Sequence, residues 1–431
     1  MTYASPSLRI EALLDQRLPA GTKGMAIASA GLPLRSVGEQ GWNLLDGDVT
    51  LPAAILIDSA LRHNASAMAG FAERHNVRLA PHGKTTMAPQ LFDRQFEAGA
   101  WALTAATPAH LGLYRSVGVP RIIYANQLVD AAAIAFLCEA LTADPAFEVI
   151  CLVDSFRSAL LLAEGAKTHG LERRIDVLVE LGMVGGRTGL RTADAAVALA
   201  ERIVDALPTL RLRGVEAFEG IVAFDADGRA KVGALLDSLE TAATGIARFV
   251  APLRPILSVG GSAFFPLIVD RFRGLAGDIE IILRSGCYLA HDHGMYEAGR
   301  TSPFCHGALD HTPELRPALE IWGHIQSRPE PGRAYATIGK RDISHDAGLP
   351  APIKWSPSGS RTVHALAPEV ARIVQLNDQH AYLEIPDDHP LQIGDRIAFG
   401  CSHPCTTFDK WRVLHVVDDD YGITEAIATC F

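Results

Sequence analysis

Two short segments carry the residues best suited to chemistry. In LAPHGKTTMAPQ (79–90), Lys84 follows a glycine directly, and His82 stands two residues before it. In FGCSHPCTTFDKW, His403 and Cys405 are two apart. An amine that is partly desolvated loses its proton and becomes a nucleophile able to form a Schiff base. Imidazole and thiolate together favour zinc over magnesium or calcium, and if that segment is extended both side chains point to one face. Each feature has a plainer reading: a surface lysine in a turn, and a loop histidine beside a buried thiol. The GKT run also invites comparison with a phosphate-binding P-loop. That motif needs a glycine five positions before Gly83, where this chain has Arg78, so the nucleotide reading fails.

The elements that must position these residues follow from the apolar pattern. From residue 77, short runs rich in Val, Ile, Leu and Ala alternate with stretches of helical periodicity. The runs are VRLAPHGK (77–84), AWALTAAT (100–107), RIIYANQ (121–127), FEVICLVDS (147–155), IDVLVELG (175–182), LRGVEAFEG (212–220), PILSVGG (255–261) and IEIILRSG (279–286). Eight apolar strands alternating with helices imply a parallel sheet covered on both sides, and a closed (β/α)8 barrel suits that count. An open doubly wound sheet is disfavoured, because no GxGxxG turn follows the first strand. Lys84 then stands at the end of strand one. There His82, Thr104, Thr107, Asn126, Asp154, Glu180, Glu219, Ser262 and Arg284 would join it around one mouth.

After about residue 310 the pattern changes to RAYATIG, ARIVQLND, HAYLEIP, DRIAFG and WRVLHVV, short alternating runs of an antiparallel β domain. SRPEPGR (327–333) and GLPAPIKWSPSGSR (348–361) read as loops. The expected division is an N-terminal extension over 1–50 that packs on the β domain, a barrel over 51–310, and a C-terminal β domain over 311–431 that carries the His-x-Cys pair.

Composition bounds the function classes. The 431 residues are 48% hydrophobic and 20% charged, as expected of a folded globular chain. A formal net charge of −10, with no local run of Lys and Arg, disfavours nucleic acid as a partner. No stretch reaches the roughly 18 uninterrupted apolar residues of a membrane span, and no signal-like start is present, so a cytoplasmic location is expected. Seven cysteines scattered through the chain do not make a disulfide framework.

The run PHGKTT resembles the cofactor-lysine signature of the fold-type III pyridoxal-phosphate enzymes in the D-serine dehydratase and D-threonine aldolase family, which share an alanine-racemase-like barrel. The likeness continues, in order, through AWALTAATPAH (100–110), VELGMVGGRTGL (179–190), GVEAFEG (214–220), SVGGS (258–262), RSGCYLAHD (284–292), GKRDISHDAGLP (339–350) and CSHPCTTFDKW (401–411). It implies that Lys84 carries pyridoxal 5′-phosphate and acts as base, with His82 beside it and Arg187 near the cofactor ring. Gly260, Gly261 and Ser262, with Gly286, Cys287 and Tyr288, would take the phosphate through backbone N–H groups and a hydroxyl. His403 and Cys405 match the zinc pair of the family's dehydratases, whereas its aldolases tend to show histidine and aspartate.

The chain departs from the family at Phe218 and Ile221, where relatives have tyrosine and histidine, and at Thr85 to Met87. The resemblance implies a lyase that converts a D-3-hydroxyamino acid to a 2-oxo acid and ammonia, in a homodimer. A D-threonine-type aldolase and a non-catalytic carrier of the cofactor are the alternatives. Trp322, His345, Asp346 and Trp411 are offered as substrate-pocket walls.

Overall fold

The computed structural model describes residues 6–431. Its eight-stranded sheet is parallel throughout and runs Arg78–Leu79, Leu103–Ala105, Arg121–Gln127, Glu148–Val153, Ile175–Leu181, Leu210–Ala217, Ile256–Ser258 and Glu280–Leu283. The first strand pairs with the eighth through Arg78 and Ile282, and a bridge between His82 and Thr104 joins first to second, which closes the barrel. All eight apolar runs form strands, most of them shorter than the runs. Strand one holds only two residues, because Pro81 cannot donate to the ladder and Gly83–Thr85 turn into a single 3-10 turn. Lys84 is therefore in the turn after the strand. Ala80, Ala102, Ile123, Ile150, Leu152, Leu178, Ile256 and Ile282 fill the barrel as one buried cluster. The helices that follow are started by short polar residues whose oxygens accept from the third helical N–H: Thr107 ahead of Pro108, Asp130, Ser155, Thr192 and Asp225.

The second unit is a ten-stranded sheet, antiparallel except for one pair. The runs expected there form Arg333–Ala336, Arg372–Leu376, Ala381–Glu384, Arg396–Gly400 and Val413–Val417. Two assignments need correction. Ala53–Ile57, counted with the barrel, is a central strand of this sheet, antiparallel to Leu319–Ser327 and parallel to Val413–Val417. Ala351–Ser356, read as a loop, pairs with Arg396–Gly400, and a register shift between Pro352 and Lys354 accommodates the proline. Leu18, Met25, Leu34, Val37, Leu44 and Leu45 of the N-terminal segment are buried on the strand at 53–57 and on Trp322, Val413 and Val417. The segment is thus a layer of the β domain.

Candidate active site at the barrel mouth

Lys84 is exposed at the mouth, and its amine has no hydrogen bond or ion pair, as an amine that must bond to an incoming group requires. Beside it, Nδ1 of His82 is buried without a partner. Burial, together with the cations Lys84, Arg284, His110 and Arg187, pushes His82 well below the usual histidine range, so its ring is neutral.

The other strand-end residues divide into site and scaffold. Thr104 donates to the Ala80 carbonyl at 2.6 Å, Thr107 caps a helix, and Asn126 donates to Ala106. These three hold backbone in place. Asp154 accepts from Gly189 N–H at 3.2 Å, and Glu180 accepts from Gln127 and from Thr188, the latter at 2.7 Å, so both carboxylates fix the Gly-rich loop after strand five. Glu180 has no pairing with Arg187. That guanidinium instead lies 4.6 Å over the Phe218 ring, on an exposed loop at the mouth. Beneath the mouth Arg284 pairs with Glu216 and donates to the Ala217 carbonyl at 2.9 Å. Burial outweighs the arginine and raises Glu216 to about 8.

The expected phosphate loop shows an unforeseen partner. Glu219, fully buried, accepts from Gly261 N–H at 2.6 Å and from Gly260 N–H at 3.4 Å. Those two amides are taken. Gly260 has φ +103°, and a Cβ there would strike Leu283, so its glycine serves the turn. Gly286 is likewise needed for backbone packing, since a Cβ would stand 2.6 Å from the His82 carbonyl oxygen. Cys287 N–H donates to Ser262 Oγ at 3.2 Å. Among the described residues, the N–H groups of Ser262, Gly286 and Tyr288 donate to no protein acceptor, which leaves them, with the Ser262 hydroxyl, as the donors an anion can use. The helix Phe265–Phe272 begins just beyond, and its N-terminus adds to the attraction. The Tyr288 side chain is buried in the core with its hydroxyl on Gln95, so only its backbone faces the loop.

The β domain brings its own pair to this mouth. His403 and Cys405 are not on a strand: Pro404 precedes a single helical turn, Cys405–Phe408. Their side chains meet nonetheless, sharing a hydrogen bond. Although burial opposes it, Cys405 and then Asp346 hold His403 up to about 9. Hydrogen bonds from Cys287 and His403 bring the Cys405 thiol well below its usual range against burial. Asp346 Oδ2 lies 2.7 Å from His403 Nδ1 and Oδ1 accepts from Thr406 at 2.6 Å, the arrangement that fixes a ligating imidazole in its orientation. Cys405 Sγ lies 3.4 Å from Thr85 Oγ1, the residue after Lys84. Cys401 is fully buried and pushed up by burial, and it stands apart from the pair. Among the described residues no group of three or more His, Cys, Asp or Glu side chains is arranged to hold a metal. The donor set of imidazole and low-lying thiol fits a soft divalent ion with two protein ligands.

Two expected pocket walls belong elsewhere. Trp322 and Trp411 are buried in the β domain, their indole N–H groups on Glu320 and on the Asp342 carbonyl. Of three further residues here, Tyr296 went unmarked in the sequence, Thr85 was marked only as a departure from the family, and Cys287 only as a phosphate ligand. The thiol of Cys287 reaches within 3.5 Å of Cys405 Sγ, and the Tyr296 hydroxyl bonds to Cys287, its ring set edge-on to His403. Thr85 touches both thiols. Tyr296 is placed by Asp292, whose carboxylate accepts from the N–H groups of Gly294, Tyr296 and Glu297. A carboxylate-first helix start in AHDHGMYEAG was the available signal.

Residues 318–417 match the family described as a putative serine dehydratase domain. A D-threonine aldolase of Arthrobacter sp is 26% identical over 382 residues, 88% of this chain and 91% of that protein. The chain is thus similar in sequence and in fold to enzymes of the D-serine dehydratase and D-threonine aldolase family. The fold is found in the crystal structure of D-threonine aldolase from Filomicrobium marinum, with TM-score 0.75 and 23% identity over 90% of this chain and 97% of that one. D-threo-3-hydroxyaspartate dehydratase from Delftia sp. HT23 superposes with TM-score 0.69 and 18% identity over 90% and 99%. A dehydratase of that name is also known as a histidine-to-alanine mutant and as a cysteine-to-alanine mutant in the metal-free form, the two positions being two apart. Alanine racemases share the architecture more distantly. In this family frame, the mouth with Lys84 is the end of the barrel where such folds place their chemistry.

Proposed function

We propose that the chain is a pyridoxal-phosphate- and zinc-dependent dehydratase that converts a D-3-hydroxyamino acid to a 2-oxo acid and ammonia. Likeness to D-threonine aldolase and to the serine dehydratase domain supports a pyridoxal-phosphate-dependent lyase; the substrate class and the outcome are our reading. The observation that carries it is the meeting of two sites at one mouth: Cys405 Sγ stands 3.4 Å from Thr85, next in sequence to Lys84. The groups needed at a substrate's α-carbon and at its β-oxygen are thereby brought together across the domain boundary.

The residues fit the cofactor. Lys84 supplies an unpartnered amine for the covalent bond. The amides of Ser262, Gly286 and Tyr288 and the Ser262 hydroxyl would receive the phosphate. Arg187 sits at the mouth as a cation toward the ring. When bound, the cofactor delocalises the electron pair left at the α-carbon. Lys84 would also be placed to take the α-proton as general base. His403 and Cys405 would hold zinc, whose chemistry there is to make the β-hydroxyl a leaving group. Asp346 would fix the orientation of the His403 ring, and Tyr296 packs edge-on against it. A dehydratase of this fold, known as a histidine-to-alanine mutant and as a cysteine-to-alanine mutant in the metal-free form at positions two apart, supports assigning that role to His403 and Cys405.

Cleavage to glycine and an aldehyde is the second reading, favoured by likeness to two D-threonine aldolases. Cys405, where the aldolases tend to carry aspartate, favours loss of the hydroxyl. A carrier protein would have no use for a β domain that delivers His403 and Cys405 to the mouth. The deciding experiment is a panel of D-serine, D-threonine, threo-3-hydroxyaspartate and β-phenylserine, assayed for 2-oxo acid and for aldehyde, with and without a chelator. Chelator-sensitive 2-oxo acid is expected; aldehyde as the main product, or turnover indifferent to the chelator, would overturn the dehydratase assignment.

A further inference from the structure

Cys287 and Cys405 come from different domains, 118 residues apart, and their sulfurs stand 3.5 Å from one another. Among the described residues no other two cysteine sulfurs share a hydrogen bond. Cys287 follows the eighth barrel strand and is 3% exposed, while Cys405 opens the helical turn of the β domain and is only partly buried. Thr85 Oγ1 lies 3.7 Å from one sulfur and 3.4 Å from the other, so the pair abuts the turn that carries Lys84. A disulfide needs its sulfurs at about 2.05 Å, a closure of about 1.5 Å from their present separation.

We propose that Cys287 and Cys405 are joined reversibly as a disulfide when the protein meets a hydroperoxide, and that this bond withdraws Cys405 from metal binding. Exposure assigns the roles. Cys405, the less buried of the two residues, attacks the peroxide: an S–O bond forms, the O–O bond breaks, and hydroxide leaves to take a proton as water. Cys287, the hidden sulfur, then attacks the sulfenic sulfur of Cys405. The S–S bond forms, the S–O bond breaks, and the departing hydroxide takes the Cys287 proton. Two thiols and one hydrogen peroxide thus give one disulfide and two waters, the two electrons coming from the sulfurs. A dithiol reverses the step by exchange. The bond would pin the β domain to the barrel beside Lys84. The crosslink stands on the geometry alone; only its consequence for the metal rests on the function proposed above.

The test uses the full chain, once loaded with zinc and once treated with a chelator. Each is given a brief, equimolar pulse of hydrogen peroxide, alkylated, and digested without reductant for mass spectrometry. The expected product is a peptide pair linking Cys287 to Cys405, lighter by two hydrogens and restored by dithiothreitol. Zinc, followed with a chromophoric chelator, should leave in step with the crosslink. In Cys287→Ser, Cys405 should pass on to the sulfinic acid, and if that variant does not fold, the wild-type peptide map decides alone. Sulfinic acid at Cys405 in the wild type, or a crosslink to Cys401 instead, would overturn the proposal. A Cys287–Cys405 crosslink in protein that never takes up zinc upholds the redox pair and removes the metal reading. Zinc lost with no crosslink does the reverse.

Discussion

Glu219 offers the most demanding test of how the mouth is built. Its carboxylate is fully buried, accepts from Gly261 N–H at 2.6 Å, and reaches Gly260 N–H at 3.4 Å, beyond the range of a good bond. Glu219→Gln keeps a carbonyl oxygen for Gly261 but turns a charge-assisted bond of about 1.5–3 kcal/mol into a neutral one of about 0.5–1.5. It also relieves the burial of a charge, so a net loss of about 1 kcal/mol is expected. Glu219→Ala strands the Gly261 amide, at about 1–3 kcal/mol, and leaves a cavity that adds about 1–2 kcal/mol, for a total of about 2–5. Urea unfolding with an unchanged slope should therefore show alanine costing at least twice what glutamine does. The freed turn should weaken cofactor affinity in the alanine variant about tenfold, read by titrating pyridoxal phosphate absorbance. Burial raises the Glu219 pKa in the fold, against the bonds from Gly261 and Gly260. Its contribution is present below the unfolded carboxylate range and is lost as pH rises through the folded value, a trend that Glu219→Gln should flatten. If glutamine costs more than alanine, or both are neutral, the turn is set by the backbone of Gly260 and the reasoning fails.

Other perturbations separate the remaining parts. Lys84→Ala should abolish the cofactor-sized mass adduct trapped by borohydride and lower turnover by at least about 10³-fold, base loss alone accounting for about 10²–10⁴; an adduct that survives would place the covalent bond on another lysine. Cys405→Ala and His403→Ala should each reduce bound zinc from near one per chain to a trace and lower lyase activity about a hundredfold or more, while leaving the adduct on Lys84. Metal analysis beside the borohydride assay reads both. His293, partly buried against Gly400, is depressed by burial to about 4. A lowered folded pKa contributes stability that is present above pH 6.5 and is lost as pH falls from there to about 4, at most about 3 kcal/mol over that window. His293→Gln should be less sensitive to acid between those values, and an unchanged pH profile of unfolding would contradict this.

What was legible in the sequence was local. The eight apolar runs each specify a strand, because a parallel barrel buries both faces and so leaves an uninterrupted hydrophobic signature. The type and position of Lys84 could be read for the same reason, since Pro81 and Gly83 end the first strand and leave the lysine at its mouth. The segment at 53–57 misled because AAILI is equally apolar in either sheet. Only its partners, Leu319–Ser327 and Val413–Val417, decide where it lies. Pro352 suggested a loop, although a register shift is enough to carry a proline through a strand.

The candidate site shows the same divide more sharply, because there the chemistry of a residue depends on what it meets. Gly260 and Gly261 have the amides a phosphate needs, yet Glu219, 42 residues before Gly261, takes them, and no spacing rule announces that a carboxylate will fold back onto a glycine turn. Trp322 and Trp411 look like pocket walls by type, but their indole N–H groups find buried acceptors in the β domain and carry the rings inward. Cys405 is the extreme case. From its neighbours in sequence it is half of a metal pair with His403. From its neighbours in space it is also half of a sulfur pair with Cys287, a residue whose thiol drew no notice. A low-lying thiol between an imidazole and a second thiol can bind a metal or be oxidised, but the two fates exclude each other. Occupancy of His403 and Cys405 by zinc would therefore set how fast the Cys405 thiol is oxidised. Metal protection of that thiol is the measurement that links both fates of Cys405 to one geometry.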